Sequence, residues 1–266
     1  MNLHVEDFGG SGSPLLFIHG WGMHSGMWGG VLAALANQYR VLAVDLPGHG
    51  DSAMIEDRGS RIVERGGSLH LDAIVDQLSA QFIEPLNLCG WSLGGQIALR
   101  WAQRFPQQVQ QLLLVSSTPC FVQQNEWPCA MAADTLAAFS VALQQDYAAT
   151  LRRFLALQVR GGEQERELLL ILRRKLASRG EPDLAALQAG LAILRDSDQR
   201  ADLPQIMQRT LVIAGVRDTL TPLPAAQFLA AKLPNARLAT IADAAHASFL
   251  SHPDEFVKYV VDFLNE

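Results

Sequence analysis

The stretch Gly90-Trp91-Ser92-Leu93-Gly94 constrains this chain more than any other. It fits the pattern G-x-S-x-G. An apolar run containing Leu86, Leu88 and Cys89 precedes it, and a helix-like run over 96–104 follows. A serine between a strand and a helix sits on a sharp, strained turn, and its neighbours must approach closely without a Cβ in the way. Such a turn presents the serine Oγ above the edge of a sheet. The N-terminus of the next helix then lies beneath it and favours developing negative charge.

The rest of the chain repeats the strand-then-helix rhythm. Short apolar runs at 15–18, 40–44, 86–89, 112–115, 211–214 and 238–241 read as strands. They are continuous rather than alternating, which is the pattern of strands covered on both faces. Helical patterns at 31–36, 71–81, 96–104, 225–232 and 254–264 suit right-handed crossovers between parallel strands. The expected architecture is α/β, a doubly wound and mostly parallel sheet. A chain of 266 residues, 49% apolar, is enough for one such domain with an insertion.

From about Pro119 to Leu194 the rhythm breaks. Leu136, Phe139, Leu143, Tyr147, Leu151 and Phe154 recur at steps of three or four, as one amphipathic helix face. Further helices are expected over 168–176 and 184–194, separated by Gly161-Gly162 and Gly180-Glu181-Pro182. The chain therefore divides into a core first part, 1–118, a helical lid, 119–195, and a core second part, 196–266.

A serine hydroxyl is a weak nucleophile at neutral pH and needs a base, which in turn needs an orienting acid. In this fold the chain order is serine, acid, histidine. His4, His19, His24, His49 and His70 precede Ser92, which leaves His246 and His252. His246 directly follows the last strand, whereas His252 precedes Pro253 as a helix-entry residue, so His246 is the expected base. Asp218 follows the strand at 211–214, on the side where active-site loops gather. Asp196, Asp198 and Asp202 lie before that strand, and Asp243 shares the His246 loop, so Asp218 is the expected acid. The oxyanion hole needs two backbone N–H groups. Leu93 supplies one and Trp21, in the loop His19-Gly20-Trp21-Gly22, the other. His19 is expected to pin that loop rather than to move protons, and His49 to be structural.

A net charge of −6 argues against general nucleic-acid binding. No run has the length of a membrane span, and the start lacks a secretory pattern. Cys89, Cys120 and Cys129 have no metal-ligand spacing and fit a reducing cytoplasm. A cytoplasmic monomer without metal or cofactor is expected.

These residues together resemble the α/β-hydrolase superfamily over nearly the whole chain. More specific stretches are Ser117-Thr118-Pro119-Cys120-Phe121, Glu126-Trp127-Pro128, Arg153-Phe154-Leu155-Ala156-Leu157-Gln158, and Ala244-Ala245-His246-Ala247 with Ser251-His252-Pro253. They are similar to the pimeloyl-acyl-carrier-protein methyl ester carboxylesterase family of biotin synthesis. The resemblance implies a serine esterase that frees methanol from a pimeloyl group held on acyl carrier protein. It implies Ser92 as nucleophile, His246 as base, Asp218 as orienting acid, and Trp21 and Leu93 as the oxyanion hole. Phe154, Leu155, Ala156, Leu157 and Gln158 would line the acyl channel. Between residues 152 and 179 the chain carries eight basic residues against three acidic ones, a patch suited to an acidic carrier. Arg153 and Arg166 fall where the family contacts its partner. Ala149 and Leu170 stand at two other such positions, with Arg152, Arg173 or Arg174 able to compensate. The stretch from Ala53 to Ser68 is longer than the family's usual one and reads as a polar surface loop. The competing readings are a broader short-chain esterase, a carbon–carbon bond hydrolase, and a non-catalytic interaction module.

Overall fold

The computed structural model describes residues 2–54 and 69–266. Most of the expected polar loop from Ala53 to Ser68 therefore lies outside the described residues. Among those described, seven strands form one sheet: β1 (Val5–Asp7), β2 (Pro14–Ile18), β3 (Arg40–Val44), β4 (Leu86–Trp91), β5 (Val109–Val115), β6 (Arg209–Gly215) and β7 (Ala236–Ile241). Their order is β1-β3-β2-β4-β5-β6-β7. Only the β1–β3 pairing is antiparallel. The six strands expected from apolar runs are all present. β1 is additional, and three residues, two half-buried and one exposed, are too few to give a periodic signal.

Helices α1 (Gly30–Leu35), α2 (Leu71–Gln81) and α3 (Leu93–Arg104) cross between the first strands. Four more, α4 (Ala133–Gln145), α5 (Tyr147–Leu157), α6 (Glu165–Ala177) and α7 (Leu184–Asp196), lie between β5 and β6. Helices α8 (Leu223–Lys232), α9 (Ser248–Ser251) and α10 (Pro253–Leu264) complete the chain. Residues 15–18, 88–91 and 112–115 are wholly buried, as apolar strands covered on both faces must be.

One expectation is corrected. The apolar face running from Leu136 to Phe154 belongs to two helices, α4 and α5, not one. Asp146 separates them with φ −146° and ψ 83°, and its carboxylate accepts the Ala149 N–H at 2.9 Å. Such an N-cap stabilises a helix start by about 1 kcal/mol. The three-to-four spacing continues across the break, from Leu143 to Tyr147, so periodicity does not register it.

The topology places the site. From β2 the chain steps to β3 on one side, then returns to β4 on the other. The ends of β2 and β4 are therefore neighbours at a switch point, where Ile18 pairs with Gly90. In open α/β sheets, crevices form at such points beyond the carboxyl ends of the strands. The loop after β2 and the turn after β4 meet there.

The helical layer is fastened over this edge by polar contacts. Trp21 Nε1 donates to the Leu187 carbonyl at 2.8 Å, and the Asp183 N–H to the Gly48 carbonyl at 2.8 Å. Arg179 donates to Ser25 Oγ at 2.6 Å, pairs with Glu6, and reaches the buried Asp45 carboxylate at 3.4 Å. At the other end the Ala247 N–H donates to the Gln158 carbonyl at 3.1 Å and the Glu163 N–H to the Asp243 carbonyl at 3.1 Å. The loop between α5 and α6 thus rests directly on the loop that carries His246.

Candidate active site

Ser92 occupies the turn between β4 and α3 with φ 56° and ψ −115°. A non-glycine residue held there carries strain of about 1–3 kcal/mol. The surroundings fix it: its N–H donates to the Val115 carbonyl at 3.0 Å, and its carbonyl accepts from Ser117 Oγ and the Gly95 N–H, each at 2.9 Å. A Cβ on Gly94 would strike the carbonyl oxygens of Ile18 and His19, so the turn tolerates no side chain there. Ser117 is a support that the motif alone did not single out, because its role depends on the pairing of β4 with β5.

The other loops converge on this serine. Gly20 packs against it: a Cβ added at Gly20 would lie 3.3 Å from the Ser92 Cβ. This places the loop His19-Gly20-Trp21-Gly22 alongside the nucleophile position. Leu93 is the first residue of the twelve-residue α3, so its N–H has no acceptor within the helix, and the positive end of the helix dipole lies at the same place. Trp91, the residue before the serine, donates from Nε1 to the His246 carbonyl at 3.1 Å, and the two rings stand 5.7 Å apart. His246 and Asp218 are buried. His246 Nδ1 lies 2.8 Å from Asp218 Oδ2. With Nδ1–H donating to the carboxylate, Nε2 is the basic atom. That Nε2 is buried and has no hydrogen-bond partner among the described residues. Such bonds often close only when substrate fills the site.

Asp218 is stabilised as an anion. Burial alone would raise its pKa, but His246 and the hydrogen bonds from Thr221 hold it below the ordinary carboxylate range. The rival acids are engaged elsewhere. Asp243 pairs with Arg217, Asp196 with Arg195 at 2.7 Å, Asp198 with Arg200 at 2.6 Å, and Asp202 lies 3.8 Å from Arg100. His252 forms the entry to α10 and lies 3.7 Å from Glu163.

His19 is structural in its contacts. Its Nε2 accepts the Leu46 N–H at 2.9 Å, so Nδ1 carries the proton and donates to the Gly20 carbonyl at 2.8 Å. Burial, first, and the neighbouring His49 push its pKa from 6.5 to about 3. Burial also lowers His24 and His49. Below the unfolded value the unfolded chain binds protons that the native imidazole refuses. Stability is therefore fully present above pH 6.5 and is lost as pH falls toward about 3. Each such site contributes a slope of about 1.4 kcal/mol per pH unit at most. The urea midpoint is expected to be higher at about pH 7.5 than at about pH 5.5, and equal midpoints would contradict the buried neutral state.

Of the residues expected to line the acyl channel, Phe154 sits against Trp21. The Phe154 ring meets the Trp21 ring edge-on at 4.7 Å, and Phe139 meets it at 5.5 Å. Leu155 and Gln158 are buried, and Ala156 and Leu157 half-buried. Gly190 on α7 makes room for this arrangement, since an added Cβ would stand 2.6 Å from Trp21 Cδ1. Gly190→Ala is expected to displace the indole and destabilise the fold by about 1–3 kcal/mol. Urea denaturation reads the loss, and an unchanged midpoint would mean that α7 moves aside freely.

Arg152, Arg153, Arg166, Arg173 and Arg174 are exposed on α5 and α6, and none is in an ion pair among the described residues. Two members of the basic stretch turn inward instead. Lys175 Nζ donates to the Gly26 carbonyl at 3.0 Å, and Arg179 holds Glu6 and Asp45. The outward patch is smaller than the sequence count, because those two cations fasten the helical layer to the core. Leu170 is exposed and Ala149 half-buried. Among the described residues, His4, Asp45 and Asp51 bring possible metal-ligand atoms within 4.8 Å of one another. The Asp45 carboxylate there already accepts the Ser25 and Asp51 N–H groups and faces Arg179, so a cation would have to displace a guanidinium. No helix among the described residues is long and apolar enough to cross a membrane.

A family profile described as the alpha/beta hydrolase fold matches residues 13–253, and the chain belongs to that family. Within it, the chain is 44% identical to the pimeloyl-[acyl-carrier protein] methyl ester esterase of Nitrosomonas europaea, over 96% of this chain and 97% of that protein. A protein of the same name from Nitrosospira multiformis is 39% identical, over 99% of this chain and 98% of its own length. Among solved structures, an esterase from Exiguobacterium antarcticum superimposes with a TM-score of 0.87 at 24% identity, covering 99% of this chain and 96% of that one. At that identity the likeness concerns the fold alone.

Proposed function

We propose that this chain hydrolyses the methyl ester of a pimeloyl group carried on acyl carrier protein, as the resemblance to biotin-synthesis esterases implies. The observation that carries the chemistry is the Asp218–His246 pair, 2.8 Å apart, with the His246 loop held against the strained Ser92 turn. Full-length similarity to relatives sharing one name supports the substrate.

In this reading Ser92 Oγ attacks the ester carbonyl while His246 Nε2 takes its proton. The Leu93 and Trp21 N–H groups receive the oxyanion. The tetrahedral intermediate collapses, the carbonyl–methoxy bond breaks, and His246 returns the proton to the departing methoxide, giving methanol. Water, activated by the same imidazole, then cleaves the ester to Ser92 and leaves the free ω-carboxylate. Asp218 orients the ring and stabilises the imidazolium throughout. Residues 119–195 serve as the lid. Phe154, Leu155, Ala156, Leu157 and Gln158 guide the acyl chain, and the exposed arginines of α5 and α6 receive the acidic carrier. The setting is cytoplasmic, and one chain supplies the whole site without metal or cofactor.

Complementation tests the biological role. Expression in a biotin auxotroph that lacks its own pimeloyl methyl esterase is expected to restore growth without biotin, and Ser92→Ala is expected not to. Failure of the wild-type gene, with the protein present and folded, would contradict the assignment.

A further inference from the structure

We propose that Thr221 is a positioning residue for the hydrolysis: its hydroxyl fixes the Asp218 carboxylate so that one lone pair of Oδ2 aims at His246 Nδ1. The inference rests on the serine-esterase reading above, but not on the identity of the acyl group.

The loop after β6 reads Asp218-Thr219-Leu220-Thr221-Pro222. Asp218 Oδ1 accepts the Leu220 N–H at 2.8 Å and the Thr221 N–H at 3.0 Å. This is an aspartate side chain closing a turn on its own backbone, a local arrangement that needs no tertiary partner. It fixes one oxygen only. Oδ2 receives two groups: His246 Nδ1 at 2.8 Å and Thr221 Oγ1 at 2.8 Å. The hydroxyl also lies 3.3 Å from His246 Nδ1. The carboxylate is fully buried, so water does not replace a lost donor.

The hydroxyl has one proton, and its 2.8 Å contact is with Oδ2, so it donates there. Its lone pairs are left facing Nδ1–H. Two consequences follow. The donated proton occupies one lone-pair direction of Oδ2 and leaves the other for the imidazole, which resists rotation of the ring out of line with Ser92. It also draws off part of the carboxylate charge, so Asp218 orients the imidazole without binding its proton too strongly. The hydroxyl touches neither substrate nor the reacting atoms and acts only through Asp218 and His246.

Thr221→Val keeps the shape and removes the donor. With p-nitrophenyl butyrate, kcat is expected to fall about ten-fold with KM little changed, as for loss of one hydrogen bond to a charged, buried group. The acid limb of kcat/KM is expected to move to higher pH by about half a unit, because Asp218 then pulls harder on the imidazole proton. Among the described residues, the charged groups beside this loop and the His246 loop are the Arg217–Asp243 pair and Glu163 with His252, and the substitution alters neither. Thr221→Ser restores the hydroxyl and is expected to recover both kcat and the pH limb. A purely structural role would lower the unfolding midpoint and leave the limb in place. An unshifted limb with wild-type kcat in Thr221→Val, or a Thr221→Ser protein no better than Thr221→Val, would overturn the proposal. A wild type that hydrolyses the p-nitrophenyl ester but not the carrier-linked methyl ester would overturn the substrate assignment and leave the Thr221 inference standing.

Discussion

Ser92→Ala is expected to lower kcat on any ester by about five orders of magnitude or more, with the fold intact. The loss is this large because the base and acid have no other nucleophile to activate. Residual turnover would come only from the oxyanion donors and from binding. Alanine at φ 56° bears the same strain as serine, and the N–H bond to Val115 and the carbonyl contacts to Ser117 and Gly95 do not involve the side chain. The unfolding free energy should therefore stay within about 0.5 kcal/mol of wild type. A fluorophosphonate should label the wild type at Ser92 and leave the variant unmodified. Labelling that persists in the variant would place the nucleophile elsewhere.

The second large effect concerns the carrier. Arg153→Glu combined with Arg166→Glu is expected to lower kcat/KM for the carrier-linked ester by about ten- to a hundred-fold at low ionic strength, mainly through slower association. Both residues are exposed and in no ion pair among the described residues, so the change removes attraction and adds repulsion without breaking such a pair. A small free ester makes no use of that surface, and its kcat/KM should be unchanged. Added salt should narrow the gap, because exposed charges are screened over about 10 Å at 0.1 M. Equal losses on both substrates, or a gap indifferent to salt, would contradict docking through α5 and α6.

The sequence announced those elements whose physics is local or ordered along the chain. Gly90 to Gly94 marks a strand-to-helix turn by itself. Asp218 and His246 followed from the order serine, acid, histidine and from their position after a strand. The buried runs marked six strands because both faces of each are covered. The features that escaped are set by distant partners. Ser117 matters because β5 lies beside β4. Trp91 carries information for His246 only once the His246 loop rests against its ring. Lys175 and Arg179 look like members of a basic patch, yet they point into the core because Gly26, Glu6 and Asp45 stand opposite them. The break at Asp146 was hidden for a different reason, since the apolar spacing runs through it unaltered. Thr221 left a faint local trace, an aspartate three residues before a threonine, whose meaning depends on His246 lying across the loop.

The measurement that tests the central claim most directly is the covalent species formed in the first turnover. Attack on the terminal methyl ester joins Ser92 to the acyl chain while the other end of that chain is still bound to the carrier. Acid quenching within the first turnover, followed by denaturing intact-mass analysis, is predicted to reveal enzyme and carrier joined as one species. Its mass should be that of the enzyme plus the ester-bearing carrier less one methanol, with the link on the peptide that contains Ser92. A small acyl group on the enzyme together with free carrier would mean attack at the thioester instead, and an adduct on any residue other than Ser92 would contradict the account.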